Sequence, residues 1–174
     1  IGLDSGIVIY DSQTDTFRPF NAKTETGETI QTYVVDMIED NDGEVWIATN
    51  GKGLYRFSPN DEIRLRVYRN IPGESNCISQ NILMTLQQDS KQNIWIGTYS
   101  EGLCCFDKHK NTFVTYKRSN LPDSLSDNSI QKILEDSHGN LWIGTFQNGL
   151  DLFNPATRTF TNYQDKSPNN LLYH

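Results

Sequence analysis

The sequence predicts an all-β fold, a β-propeller fragment built of four-stranded antiparallel blades, and three observations predict it. First, a Trp-Ile-(Gly/Ala)-Thr element starts at Trp46, Trp95 and Trp142, spacings of 49 and 47 residues. Second, each tryptophan keeps the same companions. Asp40, Asp89 and Asp136 stand six residues before it, and Gly53, Gly102 and Gly149, each followed by Leu, stand seven after it. Third, the segments between these markers are short, β-branched or aromatic, and bounded by Gly, Asn, Asp or Pro, with no capped helical period anywhere. A period of this length marks a repeat whose unit cannot bury its apolar face alone and must stack on its neighbours.

The elements follow in chain order. Residues 1–20 read as a partial blade. Ile1-Gly2 ends an interrupted Trp-Ile-Gly element, Gly6-Ile7 takes the Gly-Leu position, Tyr10 the aromatic after it, and Phe17 and Phe20 a later pair spaced by three. Three full blades are expected at about 31–68, 81–117 and 128–164. Their aromatics are Phe57, Phe106 and Phe153, and their later pairs are Leu65 with Tyr68, Phe113 with Tyr116, and Phe160 with Tyr163. Residues 168–174 align with 122–128, so a further first strand is expected where the sequence stops, as an upstream segment is expected where it starts. In the last copy the strands are placed near 129–136, 140–146, 149–154 and 159–164.

The turn after each first strand has its own chemistry. Asp40-Asn41-Asp42-Gly43 and Asp136-Ser137-His138-Gly139 pair a carboxylate that accepts backbone N–H bonds with a glycine that tolerates positive φ. The middle copy has Gln92 in place of that glycine, which predicts a strained backbone or a different turn type there. The tryptophan strands, such as Leu141-Trp142-Ile143, are apolar on both faces and need cover on both. The last strands are more polar (Thr159, Thr161, Asn162) and belong at a rim. Radial stacking satisfies both; a β-solenoid is the alternative, but its coils are usually shorter than this period.

Composition excludes several functions. The net charge of −7, without a basic block, disfavours a nucleic-acid phosphate backbone, and excess negative charge is repelled by anionic lipid. No apolar run has the length of a membrane span, and Ile1 to Tyr10 lack signal-peptide character. Cys77, Cys104 and Cys105 are odd in number, and the adjacent pair would point to opposite faces of a strand, so no disulfide framework is expected. No metal is expected: His109, His138 and His174 lack ligand spacing, and an EF-hand count from Asp40 places Gly51 where the acidic residue should be. No Gly-x-Ser-x-Gly elbow or phosphate-binding glycine loop is present, so neither a catalytic residue nor a cofactor is predicted. Trp46, Trp95 and Trp142 read as structural, since they recur in every blade.

If the first strand of each blade is innermost, the loops between strands two and three share one face with the loops between blades. The first set reads Asn50-Gly51-Lys52, Tyr99-Ser100-Glu101 and Phe146-Gln147-Asn148; the second covers 69–81 and 118–128. Variable loops on a rigid scaffold are where binding concentrates. Asn50, Lys52, Tyr99, Glu101, Phe146 and Gln147 are therefore the candidate ligand contacts, and their mixture of aromatic faces and hydrogen-bonding groups suits a carbohydrate. Competing roles are a protein-interaction module and, as a third option, a propeller lyase.

The pattern Asp136-Ser137-His138-Gly139-Asn140-Leu141-Trp142-Ile143-Gly144-Thr145, with Gly149-Leu150 after it, resembles the two-component regulator propeller repeat. Ala48 and Gln92 depart from that pattern locally, and the WD and kelch signatures do not fit. The resemblance implies the periplasmic sensor of a bacterial hybrid histidine kinase, many of which belong to gut polysaccharide degraders. It also implies further blades, a membrane span and a cytoplasmic kinase elsewhere, with this segment supplying about half of a seven-bladed ring. Partners expected on this basis are the remaining blades and an oligosaccharide. The open edges of such a segment add an expectation of self-association.

Overall fold

The alternation of short apolar segments with Asp/Gly turns produces a succession of antiparallel meanders. In the computed structural model, which describes residues 1–59 and 65–164, these form four sheets in chain order. The first has three strands: β1 (Gly2–Leu3), β2 (Gly6–Asp11) and β3 (Thr16–Pro19). The second has β4 (Val34–Glu39), β5 (Val45–Thr49), β6 (Leu54–Phe57) and β7 (Arg66–Tyr68). The third has β8 (Leu83–Gln88), β9 (Ile94–Thr98), β10 (Leu103–Asp107) and β11 (Thr112–Tyr116). The fourth has β12 (Ile130–Glu135), β13 (Leu141–Thr145), β14 (Leu150–Asn154) and β15 (Thr159–Tyr163). No helix occurs among the described residues, and the fold is the propeller fragment that the repeat predicts. The aligned stretch 168–174 and His174 lie outside the described residues.

The repeated residues have specific mechanical duties. Trp46 Nε1 donates to Asp40 Oδ2 at 2.7 Å, and Trp95 Nε1 donates to Asp89 Oδ2 at 2.8 Å. The other oxygen of each aspartate accepts the turn's backbone N–H groups: Asp42 and Glu44 on Asp40, Lys91 and Asn93 on Asp89. One carboxylate thus closes the hairpin and satisfies a buried indole, as burial of a polar group requires. Asp136 makes the same backbone bonds to His138 and Asn140, but no Trp142–Asp136 bond forms. Trp142 is only half-buried, because no described sheet covers its side of the last blade.

The Thr and Gly of the repeat form a second lock. Thr49, Thr98 and Thr145 each donate Oγ1–H to the carbonyl oxygen of Gly53, Gly102 and Gly149, at 2.6, 2.7 and 3.0 Å. They also accept an N–H from within the loop. The three glycines have φ of 87°, 85° and 79°. A Cβ on any of them would lie within 2.5 Å of the carbonyl oxygen of Tyr68, Tyr116 or Tyr163, so glycine is required by space as well as by backbone angle.

Three apolar clusters fill the gaps between consecutive sheets. Trp46, Ala48 and Leu54 of the second sheet meet Leu86, Ile94, Ile96, Cys104 and Phe106 of the third. Trp95, Leu103 and Cys105 of the third meet Ile133, Ile143, Phe153 and Phe160 of the fourth. Cys104 and Cys105 point to opposite faces of one strand, each into a different gap, and all three cysteines are free. The first strands of neighbouring blades lie side by side, β4 with β8 and β8 with β12, which makes them the inner strands. Each carries a bulge at the same place, after Val34, Leu83 and Ile130.

Candidate functional site

The loops between strands two and three do meet the segments that lead into the first strands. Asn50, Tyr99 and Phe146 occupy the same repeat position, and their N–H groups bond to the carbonyl oxygens of Tyr33, Ile82 and Ser129 at 3.0 to 3.1 Å. Gly51 and Gly53 N–H also reach Asn81 O, and Gly102 N–H reaches Asn128 O. The loop face is therefore stitched by backbone bonds, while its side chains are left to vary.

One cavity of about 460 Å³ opens on this face between the second and third blades. Its lining is Tyr33, Val35, Asn50, Ile82, Leu83, Met84 and Tyr99. Val35 and Met84 are the residues inserted by the inner-strand bulges of the second and third sheets, and a bulge redirects a side chain that regular pairing would place elsewhere. Tyr33 and Tyr99 are large and about half exposed, at 47% and 56%. Two exposed rings beside an aliphatic floor and one amide make a surface suited to a flat ligand with an apolar face.

Of the six residues the sequence singles out, Asn50 and Tyr99 line this cavity. Lys52 lies on the same loop as Asn50 and accepts Arg69 Nε at its carbonyl. Glu101 is ion-paired with Lys117. Phe146 stands exposed at the next repeat position, and the Gln147 N–H bonds Asp127. Tyr33, Val35 and Met84 are the contributors that the sequence reading missed. Tyr33 precedes a first strand at a position where the other copies have Ile82 and Ser129, a difference visible by alignment of the repeats. The bulges carry no residue signature.

The opposite face holds the Asp-turns and is structural. The first two turns lean on the end of the next blade's first strand: Asn41 N–H on Gln88, and Ser90 on Glu135 through both its N–H and its hydroxyl. Asp40, Asp42 and Glu44 gather their carboxylates there as a metal site might, but the ammonium of Lys108 from the third blade occupies the space. Lys108 Nζ lies 2.5 Å from Asp40, 2.6 Å from Asp42 and 3.6 Å from Glu44. Burial alone would raise the Asp40 carboxyl, but bonds from Lys108, Trp46 and backbone N–H groups outweigh it and hold it below its ordinary value. For Lys108, burial opposes the charge, yet the two aspartates raise its value overall. Within the core, burial raises the Cys104 thiol to about 11 and pushes Cys105 higher still. Both are therefore neutral and inert at neutral pH.

Comparison with known proteins places these features in context. Residues 30–51, 78–100 and 124–147 match the two component regulator propeller family. A histidine kinase of Formosa agariphila, Histidine kinase P4, is 33% identical over 93 residues, which is 53% of this chain but 7% of that protein. The extracellular domain of a Bacteroides thetaiotaomicron protein described as a hybrid two component system superposes with a TM-score of 0.68 at 28% identity, over 76% of this chain and 18% of the other. The chain thus spans a small part of the relatives it matches. PorZ of the Porphyromonas gingivalis type-IX secretion system (TM-score 0.68, 16% identity, 96% of this chain and 25% of the other) shares the fold. So does a virginiamycin B lyase of Staphylococcus aureus (0.66, 13%, 95% and 50%).

Proposed function

We propose that this chain, whose three full blades carry the two component regulator propeller repeat, is a ligand-sensing segment of the extracytoplasmic domain of a hybrid two-component sensor histidine kinase. Its role is non-catalytic. The ligand is an oligosaccharide, and it rests on the loop face against Tyr33 and Tyr99, with Asn50 as hydrogen-bonding partner and Phe146 extending the aromatic surface along the same face. The location is the periplasm, and the remaining blades of the parent protein complete the ring.

The observation that carries this reading is the cavity itself. It sits on the variable face of the scaffold, between two exposed tyrosines, and its lining includes the residues inserted by the bulges of the two blades it separates. The stacking of pyranose C–H faces on aromatic rings, together with one or two fixed amide bonds, is the usual chemistry of neutral sugar recognition. The test is calorimetric titration of a panel of oligosaccharides against the full ectodomain. A carbohydrate that binds the native ectodomain should bind a Tyr33→Ala/Tyr99→Ala variant at least tenfold more weakly. Undiminished binding by that variant, and by one lacking Tyr99 and Phe146, would refute the placement.

A further inference from the structure

The lining of the cavity between the second and third blades holds no side chain that is charged at neutral pH. Charge is close by in the sequence. Asp36, Lys52 and Glu101 stand within two residues of the lining, but each is engaged elsewhere. Asp36 follows the bulge residue Val35, and its carboxylate accepts the Met37 and Leu86 N–H groups and the Thr85 hydroxyl at 2.9 to 3.1 Å, with Lys132 Nζ 3.7 Å away. Glu101 is paired with Lys117. Bonds from Arg69 and Tyr55 hold the Glu28 carboxyl below its ordinary value against the opposing effect of burial, and the Lys52 ammonium adds to them. The charge of Lys52 is thus directed at Glu28.

The neutral polar groups of the lining are open by contrast. Among the described residues, the hydroxyls of Tyr33 and Tyr99 and the side-chain amide of Asn50 make no hydrogen bond to the protein, and neither ring touches another ring. The main chain beside them is already occupied, since Tyr33 O and Ile82 O accept the Asn50 and Tyr99 N–H groups. The remaining side chains, Val35, Ile82, Leu83 and Met84, offer hydrocarbon and one thioether. The site therefore presents two free ring faces, an aliphatic floor, and three uncharged groups that each donate and accept.

We infer that the ligand of this cavity is an uncharged oligosaccharide of all-equatorial pyranose rings, glucose- or xylose-configured; this rests on the reading of the cavity as a sugar site and narrows it to one class. An all-equatorial ring carries C–H groups on both faces and its hydroxyls around the rim. Its faces meet the tyrosine rings and the floor, while the rim reaches the two phenols, Asn50 and water. An axial hydroxyl projects from a face, so it is pressed against a ring or the floor and loses water without gaining a partner. A carboxylate or sulfate fares worse. It is dehydrated with no cation in the lining to receive it, and the net charge of −7 repels it on approach.

The experiment is calorimetric titration of the full ectodomain, native and Tyr33→Ala/Tyr99→Ala, with four β-1,4-linked hexasaccharides. Cellohexaose and xylohexaose are uncharged and all-equatorial, mannohexaose adds one axial hydroxyl per ring, and the glucuronate hexamer adds one carboxylate per ring. Cellohexaose or xylohexaose should bind, mannohexaose about tenfold or more weakly than the better of the two, and the glucuronate about a hundredfold or more weakly. The double variant should lose at least tenfold for whichever probe binds. Mannohexaose or glucuronate binding as tightly as the equatorial pair, with that loss in the variant, overturns the narrowing and leaves the sugar site standing. Failure of both equatorial probes also overturns it, and the broader reading then stands only if another carbohydrate binds in a tyrosine-dependent way. Probe binding that the double variant leaves undiminished overturns both, because the sugar then sits elsewhere. Both tyrosines are exposed, and far-UV circular dichroism checks that the variant folds.

Discussion

Replacing Asp89 and Asp136 by alanine in turn separates the two duties of the repeat aspartate. Both side chains accept two backbone N–H groups of their turn and an asparagine side-chain amide. Only Asp89 also accepts the indole N–H, from a tryptophan that is 3% exposed. In Asp136→Ala the freed N–H groups lie in an exposed turn and reach water, so the cost is that of a lost cap, about 1 kcal/mol. In Asp89→Ala the same cap is lost and Trp95 Nε1 is left buried without a partner, which adds roughly 1–3 kcal/mol. For a chain of this length each kcal/mol moves the melting midpoint by about 2–4 °C. With an added cost near the middle of that range, Asp89→Ala should melt about 4–8 °C below Asp136→Ala. Urea denaturation at one fixed protein concentration, followed by circular dichroism, gives the free energies. Equal losses in the two variants would show that the indole bond contributes nothing beyond the cap, and would refute the reasoning.

Other outcomes follow from the same structure. Gln92 has φ of 68° yet keeps the hydrogen bond that Gly43 and Gly139 make in their turns, so Gln92→Gly should stabilise the chain by about 1 kcal/mol, measured by thermal denaturation. Lys108 has its value raised above the ordinary 10.5, so its contribution is complete below that pH and is lost as pH rises through the higher folded value. Lys108→Met should therefore destabilise the chain at pH 7 and flatten the alkaline limb of its stability profile. Asp40 is held below its ordinary 3.8, so its contribution is present above that pH and fades as pH falls through the lower folded value. Acid titration of Asp40→Asn should show a shallower loss than the parent chain. Alkylation of the native chain at pH 7.5 should modify Cys77 well before Cys104 or Cys105, read by mass spectrometry of peptides; equal rates would contradict the burial of the last two.

Much of the fold was legible because the repeat residues act at fixed offsets. The aspartate six residues before each tryptophan is the length of one hairpin turn, and the glycine seven after it is the length of one strand plus a loop locked by threonine. Gln92 illustrates a limit. The sequence allowed strain or a new turn type, and the strained backbone won because Asp89 accepts the same bonds as its counterparts. Lys108 was invisible for another reason. It has no counterpart in the other blades and meets Asp40 only after 68 residues of chain have folded back. The candidate site was half legible. Asn50 and Tyr99 lie in loops whose variability marks a binding face, but Val35 and Met84 reach the cavity through bulges, which depend on strand pairing and leave no residue pattern.

Exchange of the three indole protons with solvent, followed by ¹⁵N NMR on the chain, bears most directly on the stacked arrangement. Trp46 and Trp95, each between two sheets and bonded to an aspartate, should exchange slowly and close to the global unfolding rate. Trp142, on the open face and without an aspartate bond, should exchange faster by at least a hundredfold. Three indoles exchanging alike, whether all fast or all slow, would contradict an arc of blades that encloses two tryptophans and leaves the third at its end.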